Sequence, residues 1–190
     1  MRTAFVSPRG AARMVLAGMV VAGLVAGCSS GGEAPKTEGP SGKSTNGERT
    51  VEFNPCTELS DQALRAARID PASKDVVTDA PTGPVSARVC QWNAVGGPYF
   101  VSVSSSVYTQ DEARKNDKLT GFRDVQVGPR AGLIYQDKAD EDKLRCYVSL
   151  PAAQGMFEVT VGWRYGEPMT RDRCELAIQH AKELEPHLPK

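Results

Sequence analysis

From residue 99 onward apolar and polar side chains alternate: Tyr99, Val101, Val103 and Val107 fall on one face, Ser102, Ser104 and Ser106 on the other. A period of two is that of a strand with one face on a core and one in water. The pattern returns at Leu144, Cys146, Val148 and Leu150, set against Arg145, Tyr147 and Ser149, and again at Phe157, Val159, Val161, Trp163 and Tyr165. Residues 151–155 are the expected turn between these two strands. Residues 87–94 read as the partner of 99–108 in a hairpin closed by Gly96-Gly97-Pro98. Two short extended runs, 122–127 and 131–136, are separated by Gly128-Pro129, and the charged segment 137–143 reads as a turn.

The spacing changes to threes and fours at Cys174, Ala177, Ile178, Ala181, Leu184 and Leu188, which line one side of an α-helix. Thr170 is its expected cap, and Pro186 limits its end because proline lacks the N–H that a continuing helix uses. Thr109-Gln110-Asp111-Glu112 has the spacing of a capping box and predicts a helix to about Leu119. A further short helix is expected over 60–69, with Ser60 at its N-cap and Asp70-Pro71 as its stop. A polar, proline-containing loop then runs to Ser86. The predicted order is α-β-β-α-β-β-β-β-α: an α+β domain, mostly an antiparallel sheet with helices packed on one apolar face.

The first residues follow another logic. A basic stretch with Arg2, Arg9 and Arg13 precedes an uncharged apolar run over 14–26 and a small-residue end, Leu24-Val25-Ala26-Gly27-Cys28. The run is shorter than the ~20 residues a permanent membrane helix needs. Its order is that of a signal peptide, 1–27. The end resembles the bacterial lipobox, which implies a diacylglyceryl thioether on Cys28 and a lipid anchor at the outer face of the cell membrane, since two acyl chains hold lastingly. Residues 29–50 contain no Val, Ile, Leu or aromatic side chain, so 28–50 is expected to be the lipidated cysteine and a flexible tether spanning ~25 Å. Gly42-Lys43-Ser44-Thr45 imitates the end of a phosphate-binding loop, but its first glycine falls on Thr37 and no strand precedes it. Residues 51–190 remain as one globular domain.

Composition then narrows the chemistry. Lys and Arg number 23 against 23 Asp and Glu, and with three arginines ahead of Cys28 the rest is slightly acidic. No basic face points to nucleic acid. With Cys28 reserved for lipid, Cys56, Cys90, Cys146 and Cys174 form an even set, which in an exported domain reads as two disulfides. Cys146 lies on the apolar face of its strand and Cys174 on the apolar stripe of the last helix, so these two should meet in the core. Cys56 and Cys90 are then paired. There is no Cys-x-x-Cys spacing for redox or zinc chemistry.

The two histidines, His180 and His187, lie off the centre of the last helix's apolar stripe and read as flank or surface residues. Nothing in the pattern sets either beside a nucleophile. Ser104-Ser105-Ser106 lacks the Gly-x-Ser-x-Gly elbow and reads as a strand face. Asp137, Asp140, Glu141 and Asp142 are the densest acidic cluster, but they miss the calcium-loop pattern and read as a solvated turn. Trp92, Trp163 and Tyr165 follow the apolar alternation, so core packing accounts for them. No catalytic set, cofactor motif or metal set is expected.

Several features stand in a telling order: Cys28, Asn54-Pro55-Cys56 opening the domain, Cys90-Gln91-Trp92, Cys146, and Asp172-Arg173-Cys174-Glu175-Leu176-Ala177 running to Leu188-Pro189. Together they resemble a family of secreted actinobacterial lipoproteins known as a domain of unknown function (number three-five-five-eight). The resemblance covers nearly all of 51–190 and implies a cell-envelope lipoprotein domain. It carries over no catalytic residues. The expected function is a non-enzymatic binding or accessory module, extracytoplasmic and membrane-anchored, engaging a lipid-like ligand or an envelope protein. The alternatives are a carboxylate-based envelope hydrolase and a structural partner of a membrane complex.

Overall fold

The computed structural model describes residues 49–82 and 85–190. The predicted signal peptide 1–27, Cys28 and the tether up to residue 48, with Gly42-Lys43-Ser44-Thr45 in it, lie outside the described residues.

The described residues form a seven-stranded sheet, antiparallel throughout: β1 (Asp75–Thr78), β2 (Ala87–Asn93), β3 (Tyr99–Ser106), β4 (Leu119–Val127), β5 (Arg130–Asp137), β6 (Arg145–Ala152) and β7 (Gly155–Trp163), in the order β1-β2-β3-β7-β6-β5-β4. The last strand lies in the middle. β7 turns back from β6 and pairs on its other edge with β3, so Val159 stands opposite both Val103 and Val148. Phe157, Val159 and Val161 are buried as a result.

Helices α1 (Pro55–Glu58), α2 (Asp61–Ala66) and α4 (Arg173–Leu184) share the face that carries Cys90, Val103, Val148 and Val159. Leu176, Ala177, Ala181 and Leu184 of α4 are wholly buried there, each leucine contributing about 1.5–3 kcal/mol by leaving water. Disulfides join Cys56 to Cys90 and Cys146 to Cys174, with Cα atoms 5.2 and 5.1 Å apart. The first ties α1 to β2 and the second ties the start of α4 to β6, beside the central strand. On chain-entropy grounds each restricts the unfolded chain by about 3 kcal/mol. Helix α3 (Gln110–Lys115) packs through Ala113 against Leu133, Tyr135 and Met156, on the opposite face of the sheet.

Several boundaries depart from the sequence reading. Ser60 does cap α2, accepting from Ala63 N at 3.2 Å, but the helix stops at Ala66. Arg68, at φ 55°, ends it in a Schellman turn: Arg68 N–H donates to Arg65 O (3.0 Å) and Ile69 N–H to Leu64 O (2.9 Å). Asp70, expected as the stop, instead caps the short turn Pro71–Ser73. The loop to Ser86 contains β1, an edge strand exposed at all four positions and so without alternation to read. Thr109 forms its capping box with Glu112, yet α3 ends at Lys115 and Leu119 already belongs to β4. The cap of α4 is Asp172, not Thr170, because its carboxylate reaches both Cys174 N (2.8 Å) and Glu175 N (2.9 Å). The expected turn 151–155 tightens to Ala153-Gln154, with Ala152 paired to Gly155.

His180 is a plain correction. It is 1% exposed rather than on a flank, because its Nε2 lies 3.1 Å from the hydroxyl of Tyr99. His187 is exposed. The serine face of β3 is not open to water either: Ser102 and Ser106 are buried, since β3 is an interior strand between β2 and β7.

Candidate functional site

Strand register assembles the site on the face away from the main core. Tyr135 of β5, Tyr147 of β6 and Thr160 of β7 stand opposite one another in one row; Leu133, Ser149 and Glu158 form the next. The Tyr135 and Tyr147 rings stack with centroids 5.5 Å apart, and Phe122 leans on Tyr135 at 5.9 Å. The Tyr135 hydroxyl donates to Glu158 Oε2, and Thr160 Oγ1 donates to Glu158 Oε1 at 3.3 Å.

Helix α3 closes one side. The Gln110 amide donates to the carbonyls of Ser149 (3.0 Å) and Ala131 (3.1 Å), pinning the helix start across β5 and β6. Between α3, Leu119 and the sheet is a cavity of about 460 Å³, lined by Tyr108, Ala113, Leu119, Tyr135, Tyr147 and Met156, with Glu112 and Glu158 as its carboxyl groups and Asn116 as its amide. Its volume lies within the roughly 300–1,000 Å³ of small-molecule sites, and mostly apolar walls with a few polar groups are their usual lining.

The two carboxylates live in opposite environments. Burial pushes the Glu158 carboxyl above its ordinary range, only partly offset by the hydrogen bonds from Tyr135 and Thr160. Glu112 is held below its ordinary range, first by the Arg49 guanidinium at 3.0 Å and then by the N–H of Thr109. Burial, followed by the charge of Glu158, raises the phenols of Tyr135 and Tyr147.

A second cavity, also about 460 Å³, lies where Phe100, Trp163 and Tyr165 meet the acidic turn. Its carboxylates are committed to that turn: Asp140 accepts from Leu144 N (3.1 Å) and Arg145 N (2.7 Å), and Asp137 from Ala139 N (2.8 Å). The residues weighed in the sequence are thus dispersed. Trp92 and Trp163 are core, Tyr165 is exposed, and Ser104, Ser105 and Ser106 lie along an interior strand. Among the described residues no three of His, Cys, Asp and Glu stand close enough to hold a metal ion, and no helix is long and apolar enough to cross a membrane.

Sequence reasoning passed over Glu158, Tyr135 and Tyr147. Glu158 sits on the polar parity of a strand and reads as solvated. The available signal was the pair of tyrosines on that same parity in two strands, which is costly surface to leave in water.

Fold and site together define a small two-disulfide α+β domain whose antiparallel sheet has a core on one face and a ligand-sized cavity on the other. The family described as "Protein of unknown function (DUF3558)" matches residues 23–187, and the chain belongs to it. No curated protein and no solved structure matches the chain.

Proposed function

We propose that this protein is an extracytoplasmic binding module, lipid-anchored through Cys28 to the outer face of the cell membrane, that holds a lipid-like small molecule in the cavity beneath α3 and performs no chemistry on it. The observation that carries the reading is the cavity itself, apolar and aromatic with one half-buried carboxyl at Glu158. The basic-apolar-small order of the first 27 residues supports export and anchoring. Two disulfides are consistent with an oxidising compartment.

A second reading, a carboxylate-based envelope hydrolase, draws on Glu112 and Glu158 lining one cavity with opposed environments, the usual mark of an acid and base pair. Both oxygens of Glu112 are already engaged, Oε1 by Arg49 and Oε2 by the N–H and hydroxyl of Thr109. That is the work of a helix cap, so binding is the stronger reading.

The test is to purify the full-length chain from membranes and identify what leaves with it by mass spectrometry. A stoichiometric amphipathic molecule, lost when Asn116→Trp obstructs the cavity rim, is the expected result. Cleavage of wall glycan by the parent chain but not by Glu158→Gln would replace the binding reading with the hydrolase. Retention of fatty-acid label in Cys28→Ser would remove the anchor.

A further inference from the structure

Glu158 stands on the central strand of the sheet and faces the cavity with a carboxyl that nothing cationic compensates. Among the described residues it has no ion-pair partner, and no Lys, Arg or His lines the cavity. Its contacts are two hydroxyls, from Tyr135 and Thr160. Hydroxyl donors stabilise a carboxylate less than a cation does, and an uncompensated charge in a half-buried site is costly. The neighbouring walls are the aromatic rings of Tyr108, Tyr135 and Tyr147 and the polarizable thioether of Met156, an apolar surface for the body of a ligand.

The other charges near the site do not supply the missing partner. Glu112 on α3 adds a second carboxylate to the lining and is already paired with Arg49, which is turned to Glu112 and to the Val107 carbonyl. Arg145 on β6 acts on Tyr147 and is exposed.

We infer that the cavity takes an organic ammonium ion, a protonated amine or quaternary ammonium carried on an apolar body, with its charge at Glu158 and its body against the tyrosines and Met156. The inference rests on the reading of this cavity as a ligand site and adds the chemical class of the ligand. An ammonium there supplies the charge Glu158 lacks, and the apolar walls recognise the rest of the molecule. An anionic ligand would meet the uncompensated carboxyl of Glu158. A neutral alcohol would gain a hydrogen bond but leave the Glu158 carboxyl without an opposite charge.

The test titrates the full-length chain with three ligands of nearly the same body: 2-phenylethylammonium, 2-phenylethanol and phenylacetate. Calorimetry reads affinity, and amide shifts of Tyr147 and Glu158 report whether the cavity is the site. The ammonium is expected to bind there about tenfold more tightly than the alcohol, the gain of a charge-assisted hydrogen bond to the carboxylate over a neutral one, with phenylacetate weakest. Glu158→Gln, which keeps the shape of the side chain, is expected to remove that preference without shifting the melting temperature downward. Equal binding of alcohol and ammonium in the cavity overturns the ammonium inference and leaves the ligand-site reading standing. A preference unchanged in Glu158→Gln also overturns it. Failure of all three to perturb the cavity overturns the inference and the small-ligand reading together.

Discussion

Arg130 Nε donates to Glu185 Oε1 at 2.9 Å, and both side chains are only 8% exposed. The same guanidinium reaches the carbonyls of Pro151 (3.0 Å), Leu188 (2.9 Å) and Pro189 (2.7 Å) and lies 5.8 Å from the centre of the Phe157 ring. One arginine at the start of β5 therefore clasps the turn that follows α4. Removing it strands Glu185 as a buried charge. Arg130→Met is expected to cost about 3–5 kcal/mol, read as a lower urea midpoint. Adding Glu185→Met is expected to recover part of the loss, since no charge is then left alone. A double variant no more stable than Arg130→Met would show that the pair is not energetically coupled.

His180 gives the stability curve an acid limb. Burial lowers its pKa below the ordinary 6.5; Glu183, whose Oε2 lies 3.7 Å from Nδ1, and a backbone contact at Ala67 oppose that, while Arg171 adds to it. A group with a depressed folded-state pKa is neutral in the fold while the unfolded chain takes up a proton. Its contribution is complete above about pH 6.5 and is lost as the pH falls below that value. Glu158, whose carboxyl is pushed up by burial, adds stability as the pH falls over the same range, so His180 is read by difference: the urea midpoint of the parent relative to His180→Gln, which retains a group able to meet the Tyr99 hydroxyl, should decline from pH 7 toward pH 5. An identical pH profile in the variant would assign the acid limb elsewhere.

The strands were legible wherever one face is dry. Leu144, Cys146, Val148 and Leu150 mark β6, and the resulting faces also paired the cysteines, because Cys146 and Cys174 had to point into one core. β1 was not legible: Val76 and Val77 are both about half exposed, so no burial pattern is imprinted there. Nor was the burial of His180, which depends on the Tyr99 hydroxyl reaching it from a strand 81 positions earlier. The cavity was hidden for a similar reason. Its walls follow from register, but its existence depends on α3 lying across the second face through Gln110 and Ala113, and a capping box says where a helix starts, not what it covers.

Arg68 occupies the left-handed position of the Schellman turn after α2, at φ 55°, where a side chain carries a steric penalty and glycine does not. The accompanying apolar contact is in place, since Leu64 and Ile69 are both buried. Arg68→Gly is expected to raise stability by about 0.5–1 kcal/mol, after the greater freedom of glycine in the unfolded chain is set against the relieved strain. Thermal melting measures it. A lower melting temperature would mean that the exposed arginine contributes more through its surroundings than its backbone costs.

The two disulfides should differ in what they hold. Cys146–Cys174 fixes α4, whose Leu176, Ala177, Ala181 and Leu184 cover the central strands, whereas Cys56–Cys90 fixes the four-residue helix α1. Cys174→Ser opens the first of these bridges and leaves a hydroxyl in an apolar setting, an expected cost of about 2–5 kcal/mol. That is a large share of the roughly 5–15 kcal/mol typical of a domain. Cys56→Ser is expected to cost less, because the sheet and α4 persist when α1 loosens. Urea denaturation of the two variants under identical conditions ranks them, and non-reducing peptide mapping of the parent chain tests the connectivity directly. Recovery of a Cys56–Cys174 or Cys90–Cys146 peptide would overturn the pairing and, with it, the placement of α4 over β6 and β7.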